Sequence, residues 1–164
     1  MNIFYLDRET KKCAEYHCNK HVVKMILETA QLLCATQWLF GTEAPYRLTH
    51  KNHPSTIWTR QSINNYRWLC DLGLELSYEY THRYGKIHKS QAIIEWCRDN
   101  EPQLPKIPFT DPPQAMPDDC KLDDTVEAYR NYYIKEKSSF CVWDKRDIPN
   151  WFIPDNQMSS VNTM

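Results

Sequence analysis

Four ionisable side chains, His17, His21, Lys24 and Glu28, follow one another at offsets of four, three and four residues. On a helix turning about 100° per residue that spacing draws one narrow stripe. The flanking Val22, Val23, Met25, Ile26, Leu27, Ala30, Leu32 and Leu33 leave most of the circumference apolar, as expected of a helix largely enclosed by protein. An enclosed lysine beside histidines gives up its proton more readily, because burial and like charge both disfavour the ammonium. Lys24 is therefore a candidate amine nucleophile, suited to attack on a sugar C1′, expulsion of the base and imine formation. Glu28, one turn on, is the candidate general acid/base, with His17 and His21 as proton shuttles or phosphate contacts.

The same residues admit other readings. A protonated Lys24 would grip a phosphate together with Arg60 and Arg67. His17, His21 and Glu28, completed by His50 or His53, make a set for a divalent metal, although the lysine cation among them opposes a second cation. As a plain solvent face the stripe holds an i,i+4 pair worth about 0.3 kcal/mol. The leading expectation carries no metal and no cofactor.

The elements that must position these groups are mostly helices. Residues 14–34 form the first, with Thr10 as a plausible cap and Gly41 beyond its end, and residues 2–6 form a short strand or a tail packed on the helices. Pro54 opens a second helix, capped by Asn52 or His53, running to Tyr84 with Gly85 as a left-handed stop. Along it Arg60, Asn64, Arg67 and Asp71 repeat the four, three, four spacing, so two polar stripes can face each other across a cleft. His82, Arg83 and Lys86, interleaved with Tyr80 and Tyr84, suit a nucleic-acid backbone with a stacking surface. Trp58 and Trp68 read as core. A third helix covers residues 91–98 with Ser90 as cap. Six of the ten prolines fall in residues 102–117, which predicts an irregular loop wrapped over the helices rather than a linker. A fourth helix starts near Asp124, paired with Glu127 as in a capping box, and carries Val126, Tyr129, Tyr133 and Lys137 on one side. The Trp-rich coil 143–152 docks on the bundle. The expectation is a mainly α protein, one helical domain over residues 1–154 with a disordered tail at 155–164.

Composition narrows the function class. With three glycines and neither G-x-x-x-x-G-K nor G-x-G-x-x-G, the chain has no loop for cradling nucleotide phosphates. Its seven cysteines, odd in number and without a C-x-x-C pair, read as reduced, mostly buried thiols of a cytoplasmic protein, the host's cytoplasm if the protein is viral. No apolar run approaches the roughly 20 residues that cross a bilayer, so no membrane partner is expected. The net charge is −1, but residues 45–70 hold four Arg and Lys, with His50 and His53, and no acid. A face carrying His50, Lys51, His53, Arg60, Asn64 and Arg67 can bind DNA or nucleotides on a nearly neutral molecule.

Three stretches, AEYHCNKHVVKMILE from residue 14, HKNHPSTIW from 50 and YTHRYGKIH from 80, resemble a family of small proteins of tailed bacteriophages. More remotely the chain is similar to phage pyrimidine-dimer DNA glycosylases of the endonuclease V type, which are compact and largely helical. Their first helix follows an Ala-Glu-Tyr and their second opens after a His. The resemblance implies an N-terminal α-amine as nucleophile, a helical glutamate as acid and arginines around the lesion. Here Met1 precedes Asn2, too large for routine removal of the initiator, His17 and His21 stand near the arginine positions, and the glutamate position falls near Cys18. Glu28 takes that role only with a shifted geometry. The sequence thus points to a base-processing enzyme acting on DNA, of glycosylase and abasic-site lyase type. A metal-dependent phosphoester hydrolase and a non-enzymatic phage accessory protein that binds nucleic acid or a host protein are the alternatives.

Overall fold

The first predicted helix is two helices. In a computed structural model, which describes residues 1–153, α1 spans Thr10–Tyr16 and α2 spans Asn19–Leu39, with His17 and Cys18 extended between them. The break has a local cause. In a continuing helix the His17 N–H would take the Cys13 carbonyl; instead the His17 ring nitrogen Nδ1 lies 2.7 Å from that carbonyl and the N–H turns to Ala14. His17 therefore leaves the stripe, and the four-residue register holds only from His21 to Glu28.

The second predicted helix is also interrupted. α3 is Pro54–Gln61, with Pro54 in its first turn and His53 Nδ1 accepting from the Ser55 N–H at 3.1 Å. Ser62 then adopts extended backbone and caps α4, Ile63–Tyr84, through the Asn64 N–H. Gly85 closes α4 in the left-handed region as expected, at φ 69°. α5 is Gln91–Asp99, without the Ser90 side-chain cap that the sequence suggested: the Ser90 hydroxyl bonds Tyr46 instead. α6, Thr125–Tyr132, has Asp124 accepting from the Glu127 N–H as the capping pattern predicts, and runs into a wider π turn over Tyr133–Lys137.

α4 is the centre of a single compact helical domain with no β-strand among the described residues, packing on α1, α2, α3 and α5. Trp58 is core as predicted; Trp68 is half-buried and packs edge-on to it. The expected disorder at 155–164 lies outside the described residues. No helix among the described residues is long and apolar enough to cross a membrane.

The start of the chain is a tail, not a strand, and Ile3, Phe4, Tyr5 and Leu6 are all buried. Burying each such side chain contributes about 1.5–3 kcal/mol against about 1–2 kcal/mol per residue for fixing backbone, so the N-terminus is held rather than free. The proline-rich segment wraps over the α3–α4 junction, where the Pro105 carbonyl accepts from the Ile63 N–H and the Thr110 carbonyl from the Trp58 indole. It then returns to the N-terminal tail at Ala115, where the Asn2 amide meets its carbonyl.

At Gly73 the helices approach too closely for a side chain: a Cβ there would lie 2.9 Å from Ile94 Cδ1 and from Thr29 Cγ2. Gly73→Ala gains about 1 kcal/mol of helix propensity but overpacks the junction by about 1–3 kcal/mol. Net destabilisation is expected in urea titration, and a stabilised variant would show that α2 and α5 can spread.

Candidate active site

The buried tail delivers the chain's first amine to Glu28. The Met1 ammonium nitrogen lies 3.6 Å from Glu28 Oε1, which also accepts from the Asn2 N–H at 3.1 Å. Lys24 Nζ approaches the other carboxylate oxygen, Oε2, at 3.8 Å. The Glu28 side chain is only 11% exposed, so this carboxylate answers to protein groups more than to water. Around it Met1, Asn2, Phe4, His21, Lys24, Met25, Tyr132 and Lys137 line a cavity of about 190 Å³, closer to a sugar ring than to a whole nucleotide.

Each wall is positioned by a different element. Asn2 is anchored on both sides of its amide, donating to the Ala115 carbonyl at 3.0 Å and accepting from the Ile3 N–H at 2.8 Å. The buried Tyr129 hydroxyl sits between Asn2 Oδ1 and the Pro113 carbonyl while accepting from the Ala115 N–H, locking the proline-rich loop to the tail. His21 is held by the Tyr133 hydroxyl, 2.6 Å from its Nδ1, and stacks on Phe4 with centroids 4.2 Å apart. Tyr132 also stacks on Phe4, and the Lys137 ammonium lies over the Tyr132 ring. The π turn thus brings Tyr132 and Lys137 to one cavity with α2. The helical register places Lys137 on the correct side but gives neither residue a role, since it does not show what a π turn does.

The other candidates fall into two groups. His53, whose Nδ1 is committed to capping α3, lies in the field of the N-terminal ammonium and Glu28. Burial first, then that ammonium and His50, hold its imidazole below the ordinary range. His50, in the left-handed region at φ 52°, and Lys51 sit on the exposed loop before α3. Further along α2, Leu27 and Gln31 line a second groove of about 270 Å³ with Arg47 and Lys89. The two grooves are lined by neighbouring residues of α2, Leu27 in one and Glu28 in the other.

The remainder stand elsewhere, and the cleft between matched stripes does not form. Arg60 bonds the Lys51 carbonyl, Asn64 the Ile107 carbonyl, and Arg67 pairs with Glu101, so the second stripe fastens loops. His82 meets the Lys145 carbonyl and Lys86 is exposed at the turn after α4. Arg83 is buried against Glu79, which also takes Arg146 through both oxygens. Burial alone would raise the Glu79 carboxyl, but the hydrogen bonds from Arg146 and Arg83 outweigh it and hold it low. Arg83 is thus committed to the interior rather than to a ligand. Lys24 is not the enclosed lysine that the apolar flanks suggested: its side chain is 67% exposed. His17, His21 and Glu28 do not converge on one point; among the described residues the three-ligand grouping is Asp119, Cys120 and Glu136, none of which lines the cavity.

His17 is instead a buried neutral imidazole. Burial dominates, and its pKa falls to about 3 although the Cys13 carbonyl favours the charged form. Because the folded value lies below the unfolded one, the stability it contributes is complete above about pH 6.5 and is lost as pH falls toward 3, by at most roughly 4–5 kcal/mol. Acid titration of stability should show that slope, and His17→Gln should flatten it.

Residues 1–92 match the family model of pyrimidine dimer DNA glycosylases. The chain belongs to that family. No curated protein and no solved structure gives a match. The matched span contains the tail, α1 to α4 and Glu28, whereas Tyr132 and Lys137, which complete the cavity of this glycosylase-family chain, and Tyr129, which locks the proline-rich loop to the tail, lie beyond it.

Proposed function

We propose that the protein excises damaged pyrimidines from duplex DNA through an imine formed by its N-terminal α-amine, with Glu28 as general acid/base. The observation that carries this reading is the amine 3.6 Å from a largely buried carboxylate in a sugar-sized cavity, in a chain of this family. In the first step the amine nitrogen bonds to C1′ while the C1′–base bond breaks and the base leaves with the electron pair. Loss of a proton from nitrogen and opening of the sugar give the imine. Glu28 then takes a C2′ proton, and the C3′–oxygen bond breaks to nick the strand. α-Amines as a class are less basic than lysine side chains, so a larger fraction is free amine near neutral pH. The geometry tolerates either processing state, because the Asn2 nitrogen, which would become the terminus if Met1 were removed, already lies 3.1 Å from Glu28.

Arg47, Lys89, His50 and Lys51 would carry the DNA backbone past the cavity, and Lys137 a phosphate at its edge. The test is borohydride trapping on a duplex oligonucleotide carrying one pyrimidine dimer or one abasic site. A covalent protein–DNA adduct is expected, and its absence on both substrates would end the reading.

Lys24 is the competing nucleophile, since its ammonium also reaches Glu28. Its exposure supports a role in charge and DNA contact instead. Lys24→Ala is expected to keep trapping within about tenfold of wild type while weakening DNA binding by up to about 1.4 kcal/mol, checked by trapping yield and by titration with salt.

A further inference from the structure

Breaking the C3′–oxygen bond puts new negative charge on the departing phosphate, and fixed donors aimed at that charge are what a site can contribute. His21 and Glu28 line one cavity from positions two turns apart on α2, about 10 Å along the helix axis. Its two ends carry different groups. The Met1 ammonium stands at Glu28. At the other end Phe4 and Phe140 lie against the His21 imidazole, with ring centroids 4.2 and 5.5 Å away. The same rings border Lys137, whose ammonium is 6.0 Å from the Phe140 centroid and 4.9 Å from that of Tyr132, which stacks on Phe4.

Tyr133 decides which nitrogen of His21 carries the proton. Its buried hydroxyl has two close polar neighbours, the Cys18 N–H at 3.4 Å and His21 Nδ1 at 2.6 Å. The Cys18 N–H can only donate, so the hydroxyl proton goes to Nδ1; the Cys18 thiol, near both rings, is the weaker acceptor. Burial raises the Tyr133 hydroxyl well above its ordinary range, so that proton stays on oxygen. A neutral imidazole that accepts at Nδ1 carries its own proton on Nε2. No protein group among the described residues bonds His21 Nε2, and unlike the Nε2 of His17 it is not sealed in the interior. With Nδ1 taken and Phe4 stacked on one face, the cavity is the open side of the ring.

We propose that this end of the cavity is a phosphate seat, where His21 Nε2–H and the Lys137 ammonium hold the phosphate on the 3′ side of the sugar and stabilise it as it leaves, with Tyr133 as the positioning residue that keeps the proton on Nε2. The assignment rests on the imine chemistry proposed above. When the Glu28 carboxylate takes the C2′ proton, the C2′–H electron pair becomes the C2′–C3′ double bond. The C3′–oxygen bond breaks, and its pair stays on the oxygen of the departing phosphate monoester. His21 keeps its proton throughout and acts as a neutral donor, while Lys137 supplies charge. The π turn thus serves one end of the site twice, through Tyr133 at its start and Lys137 at its end.

The experiment uses the full chain and a duplex oligonucleotide with one abasic site, and reads imine formation by borohydride trapping and strand nicking by single-turnover rate. In His21→Ala nicking is expected to fall about 10²–10³-fold, the range for loss of one fixed donor, while the trapped adduct is retained. His21→Gln, whose amide keeps an N–H donor, should recover part of the rate. Tyr133→Phe keeps the ring and should slow nicking less than His21→Ala does. The ¹⁵N spectrum of the His21 imidazole should show the proton on Nε2 in wild type and a mixture of tautomers in Tyr133→Phe. Nicking unchanged in His21→Ala, trapping and nicking lost in parallel in all three variants, or a wild-type proton on Nδ1 would each overturn the assignment while leaving the imine chemistry standing. No adduct with wild type would instead remove the imine chemistry and the phosphate seat together.

Discussion

Glu28→Gln is expected to lower base release and strand nicking by about 10²–10⁴-fold, the range for loss of a positioned general acid/base. The substitution keeps the shape and an oxygen that accepts the Asn2 N–H, now 3.1 Å away, so the tail stays docked. It removes the carboxylate that faces the Met1 ammonium and Lys24. Binding to lesion-containing duplex should change by less than about tenfold, because most of that affinity comes from phosphate contacts. Single-turnover rates and a binding titration on the same variant separate the two effects. Equal rates for variant and wild type would assign Glu28 to anchoring the N-terminus alone.

The second large effect comes from moving the amine. Two residues added before Met1 displace the terminal nitrogen by about 7 Å along the chain, beyond the reach of Glu28. Residues 3–6 remain buried and the Asn2 side chain keeps its bonds to Ala115 and Ile3, so the fold should survive. Loss of trapping by at least ~10³-fold is expected, since a nucleophile out of position forfeits its effective concentration. Activity restored when a protease removes the added residues would show that the loss was positional. Undiminished trapping in the extended chain would move the nucleophile to a side chain.

Some of this is legible in residue types alone. The α-helical class, His53 as a cap, Gly85 as a stop, Asp124 with Glu127, and the docking of the Trp-rich segment all follow from local rules, and all are seen. Glu28, Lys24 and His21 share a cavity because three and four residues separate them on α2. His17 departs from the expected stripe because its own ring competes for the Cys13 carbonyl and ends α1, an event that periodicity does not register. The spacing of Arg60, Asn64 and Arg67 points to a cleft, whereas Ser62 breaks the helix and the loop at 101–107 takes Asn64 and Arg67. Lys24 stands among apolar neighbours in the sequence, but Val23 and Leu27, which flank it, are themselves exposed.

What composition and spacing could not supply is the partner of Glu28. An amine belongs to every chain and leaves no mark in the sequence; it becomes chemistry only when the tail is buried and aimed. Here aiming depends on contacts 113 and 127 residues apart in the chain, from Asn2 to Ala115 and to Tyr129. The resemblance to glycosylases implies the α-amine, and the carboxylate that stands 3.6 Å from it is Glu28, from the third turn of α2.

The most direct test of the N-terminal amine as nucleophile is to locate the trapped sugar. Wild-type protein reduced with borohydride on abasic-site duplex, digested with protease and nuclease, should yield one modified peptide. The sugar remnant is expected on the α-nitrogen of the first residue. A remnant on Lys24 Nζ would contradict that assignment, leaving Glu28 as the partner of a side-chain amine.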